Sequence, residues 1–385
     1  MKGLGRRHVS TRQTKYRVKW FLKLSLARKK YTWYERRCSW CSTRRHISSQ
    51  VNGAYLGSED LAVTSDGLAF VSSGSSQSSL PSGFLQYLED NKILSRIILF
   101  NFSDPKAWAI SLKLSETETF DPKTIRPHGI SLVEDTVKGE HILYVINHGE
   151  SDVLEKFIFK PKTKSLHHTE TTPLPGITIS NDLAMISEDG FYITSYLNFK
   201  SPFMILLEHL VPLSQGALFF YNGTTLTEVV SGLNLPNGID VSKDHRFVYV
   251  ALKMENLVQV YSRRVGGQLV LVQTVRLSAG PDNLQEVDQS LLIGVHPIGY
   301  KIMVSLYDPR NKAPSSIVKL PLEDGLINEG KKSELFYYNG DLISGSSVAY
   351  LHQDKLLIGS VIDTLVLRHV CPQHNQPVNP NNKLG

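Results

Sequence analysis

Glu59 and Asp60 stand side by side in Gly57-Ser58-Glu59-Asp60-Leu61, and Leu61-Ala62-Val63 follows at once. Adjacent carboxylates heading an apolar stretch, with a turn at Ser65-Asp66-Gly67 before Leu68-Ala69-Phe70-Val71, read as a charged mouth on a buried hairpin. The phrase returns with other polar residues in the leading place: His128-Gly129, Asn181-Asp182, Asn237-Gly238, Asp282-Asn283 and Ser346-Ser347, each running into apolar residues. Four carboxylates and three amides brought into one small volume would repel and stay unsatisfied unless a cation sat among them. Oxygen donors with few imidazoles and no thiolates suit calcium, at about six to eight ligands, better than zinc or copper, with magnesium second. A calcium ion with an open position binds a carbonyl oxygen and stabilises the oxyanion formed when water attacks, while a neutral imidazole takes the proton from that water. His128 alone would read as a hydrogen-bonded core histidine; the oxygen donors around it turn the reading toward a base.

Such residues converge only if the backbone brings them together, and the repeat supplies the means. Asp60, Gly129, Asp182, Gly238, Asn283 and Ser347 hold equivalent places, 69, 53, 56, 45 and 64 residues apart. Each interval is long enough for about four strands, which predicts an all-β chain closed as a six-bladed β-propeller. The innermost strand of each blade runs along the central tunnel, so the leading residues of the six units form a ring around the axis. The sixth unit, from Ser346 to Leu367, needs a strand from elsewhere to complete its blade, and the stretch between Cys41 and Glu59 is the natural donor.

Charge separates this body from its N-terminus. Residues 1–45 hold 15 Lys or Arg and one acidic residue, net +14, so the rest of the chain carries −8 of the overall +6. We divide the chain into a basic tail over residues 1–50, a propeller over 51–372 and a C-terminal tail over 373–385. The basic tail lacks the roughly 18 consecutive apolar residues of a membrane span, and no secretory signal is visible in it. It reads either as an amphipathic or basic segment that touches anionic lipid or nucleic acid, or as a disordered or misassigned start of the coding region. No nucleic-acid partner is expected of the chain as a whole.

The three cysteines, Cys38, Cys41 and Cys371, all lie outside the repeats. Cys38-x-x-Cys41 has no second Cys or His pair at zinc-finger spacing, which argues against a zinc site. A bridge from Cys371 to Cys38 or Cys41 would clip the last blade to the start of the chain, and Cys41–Cys371 is the expected pair. A stable bridge implies an oxidising, extracellular or secretory space, where Asn101-Phe102-Ser103 and Asn222-Gly223-Thr224 are glycosylation acceptors. The Ser- and Gly-rich stretch from Ser72 to Gly83 reads as a lid over the tunnel mouth or as a plain loop. Phe199 to Val211, with Pro202 at its first turn, predicts a short apolar helix that covers one end of the propeller, walls the pocket, or touches a membrane or lipoprotein surface.

Taken together, Gly57-Ser58-Glu59-Asp60-Leu61, Pro127-His128-Gly129-Ile130-Ser131, Val145-Ile146-Asn147-His148, Asn181-Asp182, Asn237-Gly238-Ile239, Asp282-Asn283 and His296-Pro297 resemble, in order and spacing, the paraoxonase/arylesterase family of calcium-dependent lactonases. The resemblance covers about residues 55–371. It implies a six-bladed propeller with two calcium ions in its tunnel. A catalytic ion would take Glu59, Asn181, Asn237, Asp282 and Asn283; a deeper structural ion would take Asp60, Asp182 and the backbone carbonyl of Ile130. His128 would be the general base assisted by His148, with His296 nearby. Four features depart from the family: no hydrophobic leader is visible, Cys41 stands farther from the Glu59-Asp60 pair than the family's first cysteine does, Val295 stands where a cysteine often precedes the His-Pro pair, and Leu235 stands where an aromatic is common.

Three functions fit these residues. The first is a calcium-dependent hydrolase of lactones and aryl esters, with a phosphotriesterase side activity. The second is a membrane-associated assembly factor for ion channels, as in some nematode relatives; the third is a calcium-stapled scaffold without chemistry. His128 and His148 favour the enzyme.

Overall fold

The computed structural model describes residues 48–74, 80–135, 137–149 and 151–370. Among the described residues six sheets follow one another along the chain, as the repeat predicts, antiparallel throughout except where Lys113–Leu114 pairs parallel with Ser165–Pro173 in the second. Their innermost strands are Asp60–Val63, Pro127–Asp135, Ile179–Ser187, Pro236–Val241, Gly280–Glu286 and Ser346–His352, and each touches the next, the sixth returning to the first. This closed circle of inner strands makes a six-bladed β-propeller, in which the sheet edges that face the axis are short and protected.

The apolar runs explain the stacking. The second strand of each blade is buried on both faces, as in Gly190–Leu197, where every residue is buried. The cores therefore lie between blades. Ala62, Phe70 and Leu99 of the first blade pack against Ile130, Leu143, Val145 and Phe157 of the second, and equivalent clusters fill the other five junctions. Close approach of the inner strands demands glycine at two places. A Cβ on Gly129 would stand 2.6 Å from the Asn181 carbonyl oxygen, and one on Gly238 would stand 2.5 Å from the Asn283 Cα.

The sixth blade takes its outer strand from the other end of the described chain. Ser48–Gln50 pairs antiparallel with Val366–His369, setting Ser48 opposite Arg368 and Gln50 opposite Val366. The donor thus lies between Cys41 and Glu59, and the propeller starts at Ser48, within the stretch assigned to the tail from composition. Lys and Arg counts cannot locate that start, because a three-residue edge strand is too short to show a period. Cys38, Cys41, Cys371 and the tails over 1–47 and 371–385 lie outside the described residues.

Among the described residues three short α-helices accompany the blades: α1 (Ser82–Asp90), α2 (Pro202–Leu210) and α3 (Gly299–Tyr307). Sequence predicts α2, with its proline in the first turn, but not α1 or α3, which pack together through Phe84, Leu88 and Ile302. Of the stretch read as a lid, Ser72 and Ser73 finish a strand and Ser82 and Gly83 open α1, while 75–79 lie outside the described residues. Phe203 and Leu210 of α2 are largely exposed.

Candidate metal centre and histidine relay

Each inner strand after the first is interrupted where its leading residues stand. Pairing with the second strand shifts register between Pro127 and Ile130, Ser180 and Leu183, Pro236 and Ile239, Pro281 and Leu284, and Ser346 and Ala349. A bulge leaves a residue unpaired and re-aims its side chain. His128, Asn181, Asp182, Asn237, Asp282 and Asn283 all lie inside these interruptions, and all are buried.

The upper layer is a set of oxygens with nothing to bond. Glu59 Oε2, Asn181 Oδ1, Asn237 Oδ1 and Asn283 Oδ1 are buried without a hydrogen-bond partner. They come from the first, third, fourth and fifth blades. Amide orientation is fixed at one of them, since Asn283 Nδ2 donates to Glu59 Oε1 at 2.9 Å and leaves Oδ1 turned away. Orphaned buried oxygens are rare because each costs about 1–3 kcal/mol, and a hard cation is the partner that satisfies four at once. Among the described residues no three Asp, Glu, His or Cys side chains form a metal cluster by themselves, so a shell here needs the asparagine amides. The donor set fits calcium and not a thiolate-seeking metal.

Asp282 behaves differently from the other expected ligands. Its Oδ2 lies 3.3 Å from Lys253 Nζ and 3.2 Å from His296 Nε2. Burial and the nearby Lys253 push His296 down to about 4. Burial would depress Lys253 too, but the Asp282 carboxylate holds it above its ordinary value.

In the lower layer Asp60 Oδ2 accepts the Ile130 N–H at 2.9 Å, and Asp182 Oδ2 accepts the Ile239 N–H at 2.9 Å. The family resemblance assigns the Ile130 carbonyl to this layer; the contact seen here is through its amide. Both carboxyls are driven well above the carboxylate range, each by burial first, then Asp60 by Glu59 and Asp182 by Asp60. A cation between them would relieve burial and repulsion together.

Beside the upper layer the histidines form a line. His128 Nε2 is 3.3 Å from Glu59 Oε2, His128 Nδ1 is 2.9 Å from His148 Nε2, and His148 Nδ1 is 2.8 Å from Asp152 Oδ1. Burial would lower His128, but the Glu59 carboxylate beside it raises it above the ordinary histidine range; burial lowers His148 below it. Asp152 and Lys253 escape a reading of inner-strand starts. Lys253 follows Leu252 at the exit of a second strand, and Asp152, at the start of a third strand, pairs across the hairpin with His148. Tyr196 and His296 occupy matching exits, and Tyr196 Oη is 3.0 Å from His209 Nε2 of α2. A search for polar residues closing the second strand of each unit would have found this second ring.

Asn101 Oδ1 accepts the Ser103 N–H beside fully buried Phe102, whereas Asn222 is exposed in a turn.

The arylesterase family profile matches residues 42–368. Rat serum paraoxonase/lactonase 3 is 30% identical over 315 residues, 81% of this chain and 85% of that protein. Human serum paraoxonase/arylesterase 1 is 30% identical over 314 residues, with the same shares covered, and chicken serum paraoxonase/arylesterase 2 is 31% identical over 318. Among solved structures, a luciferin-regenerating enzyme superimposes with a TM-score of 0.51 at 11% identity, covering 85% of this chain and 96% of that one. A Xanthomonas campestris gluconolactonase gives 0.50 at 13% identity, covering 85% and 90%; both likenesses show the fold. The chain belongs to the arylesterase family.

Proposed function

We propose that this protein is a calcium-dependent hydrolase of lactones and aryl esters. Four orphaned oxygens from four blades, lined up beside a buried histidine pair, carry the reading, and membership in a family of paraoxonases, arylesterases and lactonases supports it. Glu59, Asn181, Asn237, Asn283 and Asp282 would hold the catalytic ion, and Asp60, Asp182 and Ile130 the structural one. A bound calcium supplies the positive charge that stabilises the oxyanion at the substrate carbonyl.

The remaining work falls to the chain. His128 Nε2, the ring atom turned toward Glu59, takes a proton from water as the water oxygen attacks the acyl carbon. The acyl C–O bond then breaks, the proton passes from His128 to the departing oxygen, and a lactone yields a hydroxy acid. His148 holds the far side of the His128 ring. A phosphotriester offers the same polarised oxygen, so slow phosphotriesterase activity belongs to this proposal.

A histidine pair buried beside the donor set favours the enzyme over a channel-assembly factor, which needs no base. The wider proposal places the protein in an extracellular or secretory space, with a Cys41–Cys371 bridge and with exposed Asn222 a better glycan acceptor than Asn101. The exposed apolar residues of α2 would meet a membrane or lipoprotein surface. Among the described residues no helix is long and apolar enough to cross a membrane. Hydrolysis of a γ- or δ-lactone and of phenyl acetate by the purified protein, with and without chelator, is the test. Hydrolysis that stops on chelation and returns with calcium is expected; no hydrolysis of either substrate in calcium would overturn the proposal.

A further inference from the structure

We infer that Asp152 is a positioning residue that fixes the tautomer of both His148 and His128, so that the free lone pair of the relay lies on His128 Nε2. The catalytic consequence rests on the hydrolase reading; the tautomer itself rests on geometry alone.

Asp152 opens the third strand of the second blade and is buried. Its Oδ2 accepts two hydrogen bonds from Ser180, the backbone N–H at 2.6 Å and Oγ–H at 2.7 Å, while Oδ1 faces His148 Nδ1 at 2.8 Å. Burial would raise this carboxyl, yet the His148 and Ser180 bonds hold it below the ordinary range, so it stays ionised and can only accept. The hydrogen between Asp152 and His148 must therefore sit on His148 Nδ1. A neutral imidazole carries one N–H, so His148 Nε2 presents a lone pair. That lone pair is 2.9 Å from His128 Nδ1, and a bond there requires the hydrogen to be on His128. His128 Nε2, facing the donor set, is left bare, which is the state a base needs.

The opposite pair of tautomers would aim the His148 Nδ1 lone pair at an ionised carboxylate 2.8 Å away and put a hydrogen on His128 Nε2, removing the base. Without Asp152 the Glu59 carboxylate, 3.3 Å from His128 Nε2, would draw the hydrogen to that atom and favour this opposite arrangement. Ser180 adds a second tie, since the carboxylate that orients the relay also grips the residue before Asn181. Base and upper oxygen layer are thereby held in register from neighbouring blades.

The test compares Asp152→Asn and Asp152→Glu with the unaltered protein, all in saturating calcium. The Asn amide donates to His148 Nδ1 and reverses both bonds. For lactone hydrolysis kcat should fall on the order of 10³-fold or more, as expected when a triad-type histidine is forced into the wrong tautomer. KM and the calcium concentration needed for half-maximal protection from thermal unfolding should stay within about threefold. Asp152→Glu, which keeps an acceptor, should recover at least about tenfold over Asn. Nitrogen-15 histidine spectra of the unaltered protein need no variant and should show both rings as Nδ1–H tautomers. Nε2–H rings there overturn the proposal even if the variants do not fold, and so does an Asn variant with kcat within about threefold of normal. If the unaltered protein hydrolyses neither lactone nor ester, the hydrolase reading fails and the spectra still decide the tautomer.

Discussion

Asn283 and Glu59 meet through a 2.9 Å hydrogen bond, Nδ2 to Oε1, although 224 residues separate them in the chain. The bond ties the fifth blade to the first across the tunnel, and Ser347 Oγ of the sixth also donates to the Glu59 carbonyl. Glu59 is thus held from two blades before any ion arrives. A shell spread over several blades turns ion binding into folding energy, about 4 kcal/mol when the ion stands at a thousand times its dissociation constant. Chelation should therefore lower the melting temperature by about 5 °C or more, restored by calcium. An unchanged melting curve, followed by circular dichroism with and without chelator, would show that no ion staples the blades.

The two layers should respond differently. Asp182→Asn removes a charge from the lower layer, so most of the rise in melting temperature on adding calcium should vanish. Asn237→Ala takes one neutral oxygen from the upper layer, so the rise should largely persist while lactone turnover drops about tenfold or more. Melting curves and rates measured on both proteins separate the layers; matching losses in both would contradict the division.

Activity should show an acid limb. The base must be neutral, and Glu59 holds His128 above the ordinary histidine range, so kcat/KM should fall as pH drops through a value above that range and level off on the alkaline side. Raising calcium should move the limb to lower pH, because a cation at Glu59 offsets the charge that raises His128. Rate profiles at two calcium concentrations check the shift; a limb that moves upward with calcium would be inconsistent with the pairing.

Lys253 places a positive charge 3.3 Å from Asp282 Oδ2, where calcium would need that carboxylate. Lys253→Met should strengthen calcium binding about tenfold by removing a like charge at close range. Titration calorimetry on both forms measures it, and weaker binding in the variant would mean that the lysine supports the shell.

Peptide mapping without reductant addresses the cysteines. A Cys41–Cys371 bridge is expected in the secreted protein, and three free thiols in an active sample would move the protein to a reducing compartment.

Much of this arrangement is legible in the sequence because the blades repeat. Asn181-Asp182, Asn237-Gly238 and Asp282-Asn283 recur before apolar runs, and the bulges that aim them fall at those pairs. The second ring is less legible. His148, Tyr196, Lys253 and His296 share a place at the exits of second strands but no residue type, so no repeated phrase marks them. Asp152 becomes informative only once hairpin pairing sets it opposite His148. All three helices are nine residues long and too short to stamp a buried helical period on the sequence; α2 is legible through Pro202 in its first turn and the apolar run after it, a cue that α1 and α3 lack.

The pairing of Ser48–Gln50 with Val366–His369 also sets a timetable. During synthesis the first of these strands leaves the ribosome when almost none of the blades exists, and its partner emerges after nearly all of them. Until then the nascent chain is an open stack of sheets with an unpaired edge at each end, the state most prone to pairing with a neighbour. Glu59 must likewise wait for Asn283, so the oxygen layer cannot assemble before the fifth blade is made. Loss of the last strand, by a stop codon or a protease, should therefore cost the whole ring and not only one blade.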